Sequence, residues 1–217
     1  MVNYFINLKK LKFEPKTIDD LILREAQKRD CEKMANLYKN SFPEHILVLW
    51  GFLSDPKYLE KEIKAKDKKW LVTELDRRIV GSSALEVSDW NDAAELERIV
   101  TEKEMRGNGI AKGMCKALTY EIAEPIGVKL NFAWARAQEY PMQKVLYDIG
   151  FRPRETSPEF YVNHDGRIVR ENFVRMTKYL NGCEDEIESF DNLIPSAKAI
   201  KDAIEKYSGE YGHRNKD

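Results

Sequence analysis

The sequence predicts an α/β fold of the α+β kind, a mixed and mostly antiparallel sheet flanked by helices. Three observations predict it. The β-rich runs "KWLVTEL" and "IVGSSALEVS" are separated only by Asp-Arg-Arg, which marks a hairpin. The run "AELERIVT" (94–101) leads straight into the glycine-rich stretch "EKEMRGNGIAKG" (102–113), and Ile110, Ala111, Met114, Cys115, Leu118 and Ile122 then trace one helical face. Near the end, "EFYVN" and "ENFVRMTKYL" flank Asp165-Gly166, a pair suited to a tight primed turn.

The remaining elements follow in order. "LILREAQ" (21–27) reads as a strand leading to Asp30, a candidate N-cap, and Met34, Leu37 and Tyr38 fall at helical spacing before Phe42-Pro43. "HILVLWGFLSDP" suits either a buried helical turn or a pocket wall, and Leu59 and Ile63 mark a surface helix from Pro56. "DWNDA" is a polar turn. "VKLNFAWARA" (128–137) is a strand, followed by a helix from Pro141 to about Ile149 that Gly150 ends. Residues 1–20 form an N-terminal extension, 21–180 the main domain, and 181–217 a C-terminal helical appendage. In the appendage Ile200, Ala203 and Ile204 make a narrow apolar stripe, suited to docking on the domain, on a second copy in a homodimer, or on a partner.

Composition narrows the function. The 36 Lys and Arg nearly cancel the 37 Asp and Glu, so no basic field points to nucleic acid. No apolar run approaches the ~20 residues needed to cross a bilayer, and the N-terminus does not read as a signal peptide. Three scattered cysteines and three scattered histidines offer neither a disulfide framework nor metal spacing. A cytoplasmic protein with no structural metal, no membrane and no nucleic-acid partner is expected.

Strand, glycine turn, helix is an order that aims backbone N–H groups and a positive helix end at an anion. A Walker A loop requires Gly-Lys-Ser/Thr, but Lys112 precedes Gly113 and Met114 follows. The dinucleotide fingerprint requires glycine where Lys112 stands. The pattern Gln/Arg-x-x-Gly-x-Gly/Ala is met by Arg106, Gly109 and Ala111, with Gly107 between them.

With these residues the sequence resembles the GNAT superfamily of N-acetyltransferases. "LREAQKRDCEKMANLYKNSF" is similar to that family's opening strand and helix, "ELERIVTEKEMRGNGIAKGM" to its central strand and cofactor helix, and "MQKVLYDIGFRP" to its helix ending in Gly-Phe. The resemblance spans about residues 21 to 179. It implies a splayed central strand pair, acetyl-CoA as co-substrate, and direct attack by a primary amine in a ternary complex. It also implies pantetheine contacts at Val100 and Thr101, a polarising N–H near Thr101 where the strand bulges, and a pyrophosphate cradle from Arg106, Gly107, Asn108, Gly109, Ile110 and Ala111, with Lys112 in reach.

Glu95 and Glu97 alternate with Leu96 and Arg98, so both carboxylates project from one strand face and are candidates for the general base. For the general acid the sequence departs from the family. Leu146 stands where many members carry tyrosine, and Tyr147 follows one residue later, about 100° round the helix. Tyr147 is the first candidate and Tyr140 the second. Cys115 reads as core. Trp50, Phe52, Trp90, Trp134 and Tyr161 are candidates for an acceptor pocket wall, and Asp89, Asp92, Glu95 and Glu97 favour a cationic acceptor, small molecule or protein. The other reading is a CoA-binding regulatory or interaction module without transferase activity.

Overall fold

The structure, a computed structural model, describes residues 7–18, 20–88, 91–186 and 193–212. A short strand, β1 (Lys16–Ile18), pairs antiparallel with β2 (Leu21–Glu25), which pairs with β3 (Lys68–Leu75). The segment before β1 sends Leu8 and Phe13 into the core. Its path is fixed by Lys69, whose buried ammonium donates to the Leu11 carbonyl (2.6 Å) and to Glu25 (2.8 Å).

β3 turns back into β4 (Arg78–Ser88) through Asp76 and Arg77, both left-handed (φ 48° and 63°), as a two-residue primed hairpin requires. Arg78 is therefore the first residue of β4, not the last of the turn. β4 pairs with β5 (Ala93–Thr101), and the terminal hairpin consists of β7 (Arg152–His164) and β8 (Arg167–Tyr179) around Asp165-Gly166. β6 (Leu130–Arg136) lies between β5 and β8, giving the order β1-β2-β3-β4-β5-β6-β8-β7. The β5–β6 pair is parallel and every other pair is antiparallel. The mixed, mostly antiparallel sheet expected from the sequence is present.

Helices cover both faces. α1 (Cys31–Ser41) and α3 (Pro56–Lys64) pack on one, with Met34, Leu37, Tyr38 and Leu59 meeting Trp70, Val72 and Ala84. Between them, "ILVL" forms the single turn α2 (Ile46–Leu49). Asp30 does not cap α1 as expected. Its carboxylate takes the Gln27 N–H and a two-pronged bond from Arg24 (2.7 and 2.9 Å).

On the other face lies α4 (Ile110–Lys116), continued by the wider π-helical turn Ala117–Ala123, beside α5 (Tyr140–Asp148). Met114, Leu118 and Ile122 from this rod and Leu146 from α5 bury against Leu71, Leu85 and Leu96. Gly150, left-handed at φ 93°, follows α5 and stops it. α6 (Pro195–Gly212) lies against β7.

Candidate active site

The site begins where β5 and β6 part. Their ladder runs from Ala93↔Leu130 to Leu96↔Ala133 and ends there. β5 continues on β4 as far as Gly81↔Thr101, and β6 continues on β8 as far as Arg136↔Phe173. Residues 97–101 and 134–136 therefore face each other across an open wedge with no strand between them. Val100 and Thr101 form the far end of one wall. Thr101 Oγ1 is buried with no hydrogen-bond partner among the described residues.

β5 is not regular along this wall. Its register on β4 slips between Ser82 and Ala84, and Arg98 is left-handed at φ 55°. A bulge places two consecutive side chains on one face. Glu97 and Arg98 both lie on the α1/α3 side, with Arg98 Nε 3.2 Å from Glu97 and Nη2 3.7 Å from Glu62. The expected bulge is thus at Arg98 rather than at Thr101, and Arg98 is not on the face opposite Glu97. The buried Tyr38 of α1 fixes this geometry. Its hydroxyl donates to the Arg98 carbonyl at 2.5 Å, 60 positions away, and lies 3.5 Å from Ser82 Oγ. Sequence reading had treated Tyr38 only as part of an apolar stripe.

The two candidate carboxylates have different environments. One row of the sheet reads Lys68↔Glu86↔Glu95↔Phe132 from β3 to β6. Lys68 is the hub of the charges: its ammonium lies 2.7 Å from Glu62, 2.9 Å from Glu86 and 3.3 Å from Glu97. Burial would lower its pKa, but those three carboxylates raise it above the ordinary value. Burial raises Glu97 above the ordinary carboxylate value, with Arg98 and Lys68 offsetting only part of the rise. Glu95 receives no hydrogen bond or ion pair from any described residue. Burial, then the charges of Glu97 and Glu86, push its carboxyl up to about 7. Alternation predicts a matched pair; the structure yields one carboxylate paired with two cations and one with no ion pair among the described residues.

The far end of β5 leads through a 3-10 turn (Lys103–Met105) into the glycine loop. Gly107 (φ 87°) and Gly109 (φ 75°) are left-handed, and a Cβ at either would meet nothing within 4 Å. The first backbone bond of α4 runs from the Gly113 N–H to the Gly109 carbonyl, so the N–H groups of residues 107–112 have no backbone acceptor. Arg106, Gly107, Asn108 and Gly109 are exposed, while Ile110 is buried as an anchor and Ala111 is half-buried. Backbone donors, open space and a cation at a helix start fit a phosphodiester group. Lys112 lies 3.5 Å from Asp148, tying α4 to α5.

Other sequence candidates are dispersed. The Tyr147 ring lies beneath the Arg152 guanidinium (4.3 Å) and packs on the core near the end of α5, while buried Leu146 holds the inward position. Tyr140, 70% exposed, stands at the start of α5. Burial pushes the Cys115 thiol up to about 12, which removes it as a nucleophile. Asp92 sits at the closed end of β5, its carbonyl accepting from Lys129, away from the wedge. Trp50 is exposed, Phe52 meets Tyr58 edge-on, and Tyr161 lies under Arg170. Only Trp134 of these aromatics joins the row beside Phe132, under Arg175. Asp89 and Trp90 lie outside the described residues.

A parted parallel pair in an otherwise antiparallel sheet, with a turn of free N–H groups following the central strand, is the arrangement that the resemblance to the N-acetyltransferases implies. Residues 23–169 match the acetyltransferase (GNAT) family, and the chain belongs to that family. A curated relative, the N-acetyltransferase YodP of Bacillus subtilis strain 168, is 27% identical over 152 residues, 70% of this chain and 49% of the relative. The chain thus spans about half the length of that relative. Among solved structures, YncA of Salmonella typhimurium with its cofactor acetyl-CoA superposes with TM-score 0.63 at 17% identity, covering 81% of this chain and 100% of that one. The ribosomal-protein-S5-alanine acetyltransferase of Vibrio fischeri gives TM-score 0.65 at 13% identity, covering 78% and 98%. At these identities the structural matches speak for the fold. Among the described residues, no helix is long and apolar enough to cross a membrane.

Proposed function

We propose that the protein is an acetyl-CoA-dependent N-acetyltransferase whose acceptor is a primary amine attacking directly in a ternary complex. The observation that carries this reading is the wedge opening just past Glu95 and Leu96, with the run of free N–H groups at its far end. Acetyl-CoA, when bound, supplies the activated acetyl thioester. Residues 107–111 hold the pyrophosphate through backbone N–H groups, with Arg106, whose own N–H is taken by the Lys103 carbonyl, beside them through its side chain. Val100 and Thr101 offer backbone groups to the pantetheine. The bulge at Arg98 displaces the β5 ladder at the wedge, leaving an N–H to polarise the thioester carbonyl.

Glu95 is the general base. An amine arrives at neutral pH as an ammonium, and a carboxylate titrating at about 7 takes its proton without holding it too tightly. Glu97, paired with Lys68 and Arg98, positions the bulge. Neither Tyr147 nor Cys115 is needed, since water can protonate the departing thiolate.

Glu95→Gln is expected to lower kcat/KM by about 10²–10⁴-fold and to abolish the rise in rate as pH passes through about 7. Thiol release measured from pH 5.5 to 9 checks this, and a retained limb would assign the base elsewhere. The module reading draws support from buried Leu146 at the family's tyrosine position. It requires acetyl-CoA binding with no thiol release across a broad amine panel.

A further inference from the structure

On the face that carries Glu95, one cation has few partners among the described residues. Lys68 meets three carboxylates, Arg98 meets Glu97 and Glu62, and Arg136 meets Glu44 at 2.7 Å and Glu171 at 2.9 Å. Among the described residues Arg175 of β8 has a single ion pair, with Glu155 at 4.0 Å, and its side chain is 33% exposed. Its Nε is buried with no hydrogen-bond partner among the described residues. The guanidinium lies flat over Phe132 (4.5 Å) and also faces Trp134 (5.9 Å).

Phe132 is the register partner of Glu95, so one aromatic ring floors the space between an unpaired carboxylate and an under-used guanidinium. The two do not reach each other within ion-pair distance. Two half-buried charges of opposite sign, each short of partners, are costly to keep apart, and a ligand bearing both complementary charges satisfies them together. A guanidinium held flat by rings presents its N–H edge, the geometry that grips a carboxylate with two bonds. A second ammonium at that place would meet Arg175 as a like charge.

We propose that the acceptor is a free amino acid, its reacting ammonium at Glu95 and its carboxylate on the edge of Arg175. This rests on the transferase reading and adds the acceptor class to it. The amine loses a proton to Glu95, attacks the acetyl carbonyl, and the thiolate leaves; the carboxylate takes no part in bond making.

The test uses the intact chain with acetyl-CoA and amine pairs that differ only by a carboxylate: lysine against cadaverine, ornithine against putrescine. The amino acid of each pair is expected to show at least about tenfold higher kcat/KM, since a site built for a polar group rejects the analogue lacking it. Arg175→Gln is expected to bring that ratio close to one, chiefly through the KM of the amino acid. Arg175→Lys keeps the charge without the planar fork and should retain an intermediate ratio, with melting curves for both variants showing that they fold. Equal or better use of the diamines by the unmodified protein, or an unchanged ratio in R175Q, overturns the proposal and leaves the transferase reading standing. Absence of thiol release with every amine, while acetyl-CoA still binds, overturns both.

Discussion

Glu95 is surrounded by carboxylates that pair with cations, and among the described residues it makes no ion pair of its own, Arg98 and Arg175 acting on it only through space. Its carboxyl is pushed up to about 7 in the folded chain, against an ordinary 4.5, with burial as the largest cause. The native state therefore holds that proton more tightly than the unfolded chain does. Stability from this group is full below the unfolded value and is lost as pH rises through about 7. Glu95→Gln should leave the melting temperature unchanged below pH ~4 and raise it above the unmodified protein by about 5 °C at pH 8. Calorimetric melts across that range check it. A variant less stable at pH 8 would mean that Glu95 has a partner when ionised. The same substitution thus trades activity for stability, as expected of a charge kept buried for chemistry.

At the scale of elements, the close contact between β4 and α4 controls the glycine loop. A Cβ on Gly81 would stand 2.6 Å from Ile110 Cγ2 and 3.2 Å from Met114 Cε. Ile110 opens α4 and anchors the turn with the free N–H groups, so Gly81→Ala must shift that turn. It should cost about 1–3 kcal/mol of stability and weaken acetyl-CoA binding several-fold by titration calorimetry, with native affinity as the contrary result. The elements themselves were legible in the sequence wherever a periodic pattern met a turn residue: Asp76-Arg77, Asp165-Gly166, and Gly150 after α5. The glycine loop was legible for the same reason, because its spacing is local. The bulge was not. "ELERIVT" alternates regularly, and what breaks the alternation is a hydroxyl from Tyr38, far away in the chain. Nor could spacing distinguish Glu95 from Glu97, because Lys68 reaches the site from another strand. Tyr147, one residue of rotation past buried Leu146 on α5, lies under Arg152, a contact that spacing alone does not reveal. Arg175 gave no signal at all, since only strand order brings β8 beside β6.

At the scale of the whole molecule, one sheet separates two apolar cores, one under α4 and α5 and the other under α1 and α3. The wedge is the place where that partition opens. A ligand held at the glycine turn and along the wedge binds only the folded chain, so acetyl-CoA at a hundred times its Kd should add about 2.7 kcal/mol and raise the melting temperature by about 5–10 °C. Differential scanning fluorimetry with and without acetyl-CoA reads this directly, and no shift would remove the cofactor assignment. The extra residue at Arg98 has a further effect on this partition. A strand keeps parity: odd positions face one way and even positions the other. By admitting one uncounted residue, the chain reverses that parity midway along β5. Leu96 belongs to the α4 core and Val100 to the α1 core, although their even separation would put them on the same side. Losing that single residue would leave Leu96 and Val100 an odd number of positions apart, so a regular strand would still deliver Val100 and Thr101 to their present compartments. A one-residue deletion at 98 would therefore act as a straightening: the strand would enter the glycine turn the same way round but without the kink beside the wedge. A deletion at 96 or 100 would instead leave the bulge in place and remove an apolar position.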